Sequence, residues 1–178
     1  GRGRAADGRS GASAGGGEGV GRVAIVRAPY DYFTVMVANL TGRSEADQMR
    51  YIATSERIFK GLRPDVVAIQ EFLVTNASRR AYVDAVFGTN FYFYVEPYSG
   101  NDIPNGIISR WPITASGEWG DGKVSFRDFA WATIDLPGTQ DLHVVSVHLQ
   151  SGADPADEAT RKAEAVNLTN QIRRANWP

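Results

Sequence analysis

The 178-residue chain contains no cysteine, which excludes a disulfide framework, a thiolate zinc site and a cysteine nucleophile. Histidine is scarce as well, and two residues leave little material for a His-rich metal centre. An excess of either charge is also missing. The 19 Lys and Arg against 20 Asp and Glu give a net charge of −1, which excludes a strongly basic, histone-like nucleic-acid binder. A locally basic groove on an enzyme stays open. No apolar run approaches the roughly 18 residues that a membrane span needs. Neither standard Gly-rich phosphate loop occurs, nor a Gly-x-Ser-x-Gly elbow. Internal repeats are absent. The first residue is Gly and not Met, so the chain does not open on a translation start, and no charged-then-apolar leader stands at the front. The compartment is therefore left unassigned.

What is present begins with an unusual front end. Residues 1 to 22 hold nine of the 19 glycines and no aromatic residue. Such a composition buries too little apolar surface to offset its ordering entropy, and it predicts a flexible Gly-rich tail ahead of one domain over residues 23 to 178. The tail carries four Arg, one Asp and one Glu, a surplus of two positive charges, which leaves −3 on the remainder.

The first strong segment is the β-rich run Phe33 to Ala38, ending at Asn39. A polar break at Thr41-Gly42-Arg43 follows. Ser44 then reads as an N-cap, with Asp47 three positions on as its approximate capping partner. Met49, Ile52, Ile58, Phe59 and Leu62 fall at roughly helical spacing, and Gly61 supplies a stop. After Pro64, Asp65-Val66-Val67-Ala68-Ile69-Gln70-Glu71 reads as a short buried strand. This is a β-α-β unit, whose strands should be parallel with a right-handed crossover. Ligands of parallel α/β sheets sit beyond the carboxyl ends of the strands, where Asn39 and Glu71 stand. Further on, a second helix fits Asn76 to Phe87. Strands fit Phe91 to Val95, Gly106 to Ser109, Ile113 to Ser116, Phe129 to Asp135 and Leu142 to His148. Pro137-Gly138 joins the last two as a hairpin, and a closing helix fits Pro155 to Arg174. The sheet should be of mixed direction.

Glu71 is the sharpest single residue, because a carboxylate at the end of a buried strand needs a partner. A divalent cation such as Mg²⁺ would serve, held by one or two carboxylates with waters and substrate phosphate. A salt bridge to Arg63, Arg79 or Arg110, or a capping role, would serve equally. Asn39 offers an amide to metal, water or phosphate, or simply ends its strand as a turn residue. His148 suits donation to a phosphate oxygen or protonation of a leaving group, or a plain half-buried hydrogen bond. Arg127 suits a phosphate clamp or an ion pair with Asp128 or another acid. His143, near the hairpin turn, is expected on the surface. Asn101-Asp102 and Asn105-Gly106 are expected in a polar loop. The aromatic run Phe91 to Tyr98 fits core packing better than base stacking.

Four pieces in order carry a resemblance. They are Val35-Met36-Val37-Ala38-Asn39-Leu40, Pro64 to Glu71, Asn105-Gly106-Ile107-Ile108-Ser109-Arg110-Trp111-Pro112-Ile113, and Val144-Val145-Ser146-Val147-His148-Leu149. Together with the helix that bears Arg161 and Glu164, they resemble the endonuclease/exonuclease/phosphatase family, over about residues 32 to 176. That family includes deoxyribonuclease I, exonuclease III-type nucleases, inositol-polyphosphate phosphatases and neutral sphingomyelinases. The resemblance implies an α/β fold, a mixed-sheet α/β/β/α sandwich of deoxyribonuclease I type. It also implies a phosphoesterase dependent on Mg²⁺ or Mn²⁺. Glu71 matches the family's metal-binding Glu, Asn39 its first-strand Asn, and His148 a histidine that contacts phosphate. Arg127 and Glu96 match secondary site residues loosely.

Two departures stand out. Ala38 occupies a position where the family usually has Trp or Phe. The Gly-Asp-x-Asn motif and the terminal Asp-His pair, which position phosphate and activate water, do not occur. The resemblance thus implies the N-terminal portion of such a domain, truncated before its second half and inactive alone. The substrate is a phosphate ester, with nucleic acid, a phospholipid head group and a small phosphodiester all open. A non-catalytic binding module on the same fold is the rival reading.

Overall fold

The computed structural model describes residues 32–40, 45–97, 103–124, 126–138 and 140–177. The expected tail, the Ser44 N-cap, the Asn101-Asp102 loop and Tyr98 lie outside the described residues. In chain order the elements are β1 (Val35–Asn39), α1 (Glu45–Leu62), β2 (Val66–Gln70), α2 (Arg79–Val86), β3 (Tyr92–Val95), β4 (Gly106–Ser109), β5 (Ile113–Trp119), β6 (Phe129–Asp135), β7 (Asp141–Ser146) and α3 (Pro155–Ala175).

Two sheets form. The first has the order β1-β2-β4-β3 and the second β5-β6-β7. β1 and β2 run parallel, as the β-α-β reading requires, and every other pairing is antiparallel. Strand alternation sends successive side chains to opposite faces, and this decides the layers. On β2, Val67 and Ile69 face Phe59 of α1 and Tyr82, Val83 and Val86 of α2. Val66, with Ile107 of β4, meets Ala130, Ala132 and Ile134 of β6 in a second core between the sheets. α3 lies on the far face of the second sheet, where its Asn167 Nδ2 donates to the Gly120 carbonyl at 3.0 Å. The result is an α/β/β/α sandwich. The Ser146 hydroxyl bridges the two sheets at the carboxyl end of β2. Ser146 Oγ of β7 donates to the Ile69 carbonyl (2.9 Å) and accepts from Gln70 Nε2 (2.8 Å).

Several boundaries differ from the sequence expectation, each for a tertiary reason. β5 continues to Trp119, past Ser116, because the Trp131 ring of β6 lies directly over Gly117; a Cβ there would stand 2.9 Å from the ring. α2 begins at Arg79, since Ser78 N and Arg79 N both bond the Thr75 carbonyl in a turn. β7 ends at Ser146, so His148 lies two residues beyond the strand. His143 is not a surface residue: it is half-buried, 3.0 Å from Thr133 Oγ1 and stacked on Trp177 at 4.5 Å. The Trp177 indole covers the outer face of the second sheet together with Trp119 and Trp131. Within the aromatic run, Phe91 and Phe93 pack on the first core and Tyr94 on the second, while Tyr92 is exposed.

Candidate active site

The carboxyl end of β2 is where the chemistry collects. Glu71 follows the strand with φ of +55°, a left-handed conformation that residues with side chains seldom adopt. Its carbonyl accepts from Leu73 N at 3.1 Å and from the side-chain nitrogen of Gln48. The next amide, Phe72 N, bonds Pro104 O at 2.9 Å, so the chain leaves the sheet by a path held on both sides.

Three of the residues singled out from the sequence meet at one oxygen. Asn39 Nδ2, at the end of β1, donates to Glu71 Oε1 at 3.0 Å. His148 Nε2, beyond β7, stands 3.6 Å from the same oxygen. Arg110 pairs with Asp65 Oδ1 at 3.1 Å, and Arg79 bonds the carbonyls of Val74 and Val95, so both serve local structure. Burial, then the positive charge of Arg127, holds the His148 imidazole below its usual range, against an opposing pull from Glu71 and Glu164. At neutral pH the ring is thus uncharged, with one nitrogen able to donate.

Arg127 is buried beside this group, and it does not pair with Asp128 as one sequence reading allowed. Its Nη1 donates to the Leu149 carbonyl at 2.8 Å, and its guanidinium lies over the Phe126 ring. Asp128 instead accepts from the Asp121 amide at 2.9 Å. Glu96 is buried in a neighbouring network: its Oε2 accepts from Asn105 N (2.8 Å), and Asn105 Nδ2 donates to the Asp128 carbonyl (2.6 Å). Burial, reinforced by Asp128 and Glu118, pushes the Glu96 carboxyl up to about 8.

α3 fastens the segment after His148. Both oxygens of the fully buried Glu164 accept from Gln150 N, at 3.1 and 2.9 Å. Arg161 Nη1 donates to the carbonyls of Gln150 and Gly152. Burial and the adjoining Glu164 push the Asp121 carboxyl up. Gln48 and Asp121 escaped the sequence reading. A polar residue in the first turn of a helix and an acid in a loop carry no local mark of burial. Among the described residues, no group of three or more His, Cys, Asp or Glu side chains forms a metal cage. No helix among them is long and apolar enough to cross a membrane.

No protein-family model matches the sequence, and no curated protein matches it. Solved structures do. TDP2 from Caenorhabditis elegans superposes with a TM-score of 0.64 at 15% identity, covering 80% of this chain and 42% of that one. An endonuclease/exonuclease/phosphatase family protein from Leptotrichia buccalis gives 0.57 at 17% identity, over 79% of this chain and 63% of that one. The 3′ phosphatase NExo from Neisseria, bound to a product DNA hairpin, gives 0.56 at 13% identity, over 80% and 54%. The chain has the endonuclease/exonuclease/phosphatase fold, and it spans between 42 and 63% of the length of these structures.

Proposed function

We propose that these residues form the metal-holding and phosphate-contacting part of a divalent-metal-dependent phosphoesterase, which hydrolyses a phosphate ester by in-line attack of water. The observation that carries this reading is the meeting of Asn39, Glu71 and His148 on one carboxylate oxygen at the carboxyl ends of β1 and β2. The donor chemistry fits Mg²⁺ or Mn²⁺: a carboxylate and a carboxamide are hard oxygen ligands, and Mg²⁺ is commonly held by one or two carboxylates, with water and substrate phosphate completing the set. Glu71 would hold the ion and Asn39 would orient against it. Such an ion polarises the phosphoryl oxygen and offsets developing negative charge.

The chain's own residues do the rest of the positioning. The neutral His148 donates a hydrogen bond to a phosphate oxygen. Arg127, beside it, supplies fixed positive charge to the same end of the sheets. Water activation falls to groups outside the present motifs. The 178 residues alone are therefore expected to turn over no ester, whereas the same residues completed by a Gly-Asp-x-Asn motif and an Asp-His pair are expected to do so. Among the open substrate classes DNA comes first, since the Neisseria structure holds a DNA product.

The test is hydrolysis of a 3′-phosphorylated oligonucleotide and of bis(p-nitrophenyl) phosphate by the chain and by a domain completed with those motifs, with and without Mg²⁺ or Mn²⁺. Glu71→Gln should lower metal-dependent turnover about 100-fold or more. Turnover indifferent to metal, or to Glu71→Gln, would sink the reading. The rival is a non-catalytic binding or scaffolding module on the same fold. DNA binding without hydrolysis would identify it.

A further inference from the structure

Glu71 has a backbone conformation that its surroundings must impose, because a left-handed residue with a side chain is strained and persists only where neighbouring structure over-determines it. One side chain is placed to do so. Gln48 lies in the first turn of α1, 2% exposed, with its nitrogen donating to the Glu71 carbonyl. We propose that Gln48 is a positioning residue: its carboxamide latches the Glu71 carbonyl and holds the left-handed geometry that aims the Glu71 carboxylate at Asn39 and His148.

Packing does not explain a glutamine here. Burying a polar carboxamide forfeits hydration that Met or Leu does not lose, so either would fill the space at less cost. The second amide atom underlines this, since Gln48 Oε1 is buried without a hydrogen-bond partner. The bond from its side chain to Glu71 is thus the reason for its amide. Together with Leu73 N, it occupies the Glu71 carbonyl with two donors, which fixes the peptide plane after Glu71. Without the latch, that peptide is released toward the extended region, and rotation of the backbone swings the Cα–Cβ direction away from Asn39. The consequence for metal holding rests on the phosphoesterase reading; the latch itself does not.

The experiment is NMR on the full chain, as wild type, Gln48→Met and Glu71→Ala. The probe is the Asn39 side-chain amide, which bonds Glu71 Oε1. In Gln48→Met its signals should move to the positions they take in Glu71→Ala. A folded Gln48→Met with unmoved Asn39 signals would overturn the latch. Added Mn²⁺ should broaden the Asn39 and His148 signals of wild type, and Gln48→Met should need at least about 10-fold more, as for other residues that orient metal ligands. If Mn²⁺ broadens nothing in wild type, the metal reading fails, while the Asn39 signals still decide the latch. Should Gln48→Met not fold, the same change is made with Glu71→Gly, because glycine adopts positive φ without strain. Folding of the double variant supports the latch, and unfolding in both backgrounds refutes it.

Discussion

Replacing Glu96 by Gln should remove a pH dependence from the stability of the chain. Glu96 is 5% exposed. One oxygen accepts the Asn105 amide, and the other is buried with no hydrogen-bond partner. Burial is the main cause that raises its carboxyl from the ordinary 4.5 to about 8, and Asp128 and Glu118 add to it. A carboxyl raised on folding contributes stability that is complete below the unfolded value and is lost as pH climbs through the folded one. The window therefore runs from about pH 4.5 to about pH 8. At about 1.4 kcal/mol per pH decade, the full displacement corresponds to ~5 kcal/mol, of which about 3 kcal/mol is gone by pH 7. Gln is isosteric, carries no charge and keeps an oxygen for the Asn105 amide. Urea unfolding at pH 5 should give wild type and Glu96→Gln within about 1 kcal/mol of each other, the cost of exchanging one hydrogen-bonding group for another. At pH 8 the variant should be the more stable by several kcal/mol. Taking the difference between the two proteins cancels the other acids, including Asp121. Parallel pH profiles, or a variant weaker than wild type at pH 8, would mean that Glu96 is ionised and paired in the fold.

Gly117→Ala should cost about 1–3 kcal/mol, the usual penalty of overpacking. The new Cβ would stand 2.9 Å from the Trp131 ring, which is itself stacked on Trp119, and an unchanged urea midpoint and tryptophan spectrum would count against it. Val35 and Val37 of β1 share the face of Val66, toward the second sheet, yet they are 54% and 70% exposed, because β5, β6 and β7 lie over β2, β3 and β4. An apolar face on an edge strand invites pairing. Sedimentation of the chain should show concentration-dependent association that Val37→Lys weakens, and a monomer at every concentration would contradict this.

The β-α-β unit was legible because its signals are local. Apolar spacing marks α1, Pro64 resets the chain, and the continuous apolar run of β2 reflects a strand buried on both faces. β4 and β6 were legible with their ends, and the Pro137-Gly138 turn placed the β6–β7 hairpin. The extension of β5 over Gly117 was not, since it depends on a ring from another strand. His143 was misjudged for the same reason. Its neighbours are Thr133, ten residues away, and Trp177 near the end of the chain, which no local pattern connects to it.

Residue types and local spacing by themselves determined the element order, the parallel start of the first sheet and the positions of Asn39 and Glu71 at strand ends. Each of these follows from side-chain periodicity and turn chemistry within a few residues. Assembly of the layers brings Asn39 and His148 to one oxygen of Glu71, turns Arg127 to the Leu149 carbonyl and sets the Gln48 amide on the Glu71 carbonyl. Those contacts close between residues 20 to 80 positions apart. They depend on how two sheets stack, as the Ser146 hydroxyl shows by bridging strands 76 and 77 residues apart in the chain. Stacking is set by which faces are apolar across the whole chain, and so the chemistry at its rim appears only when the layers are assembled.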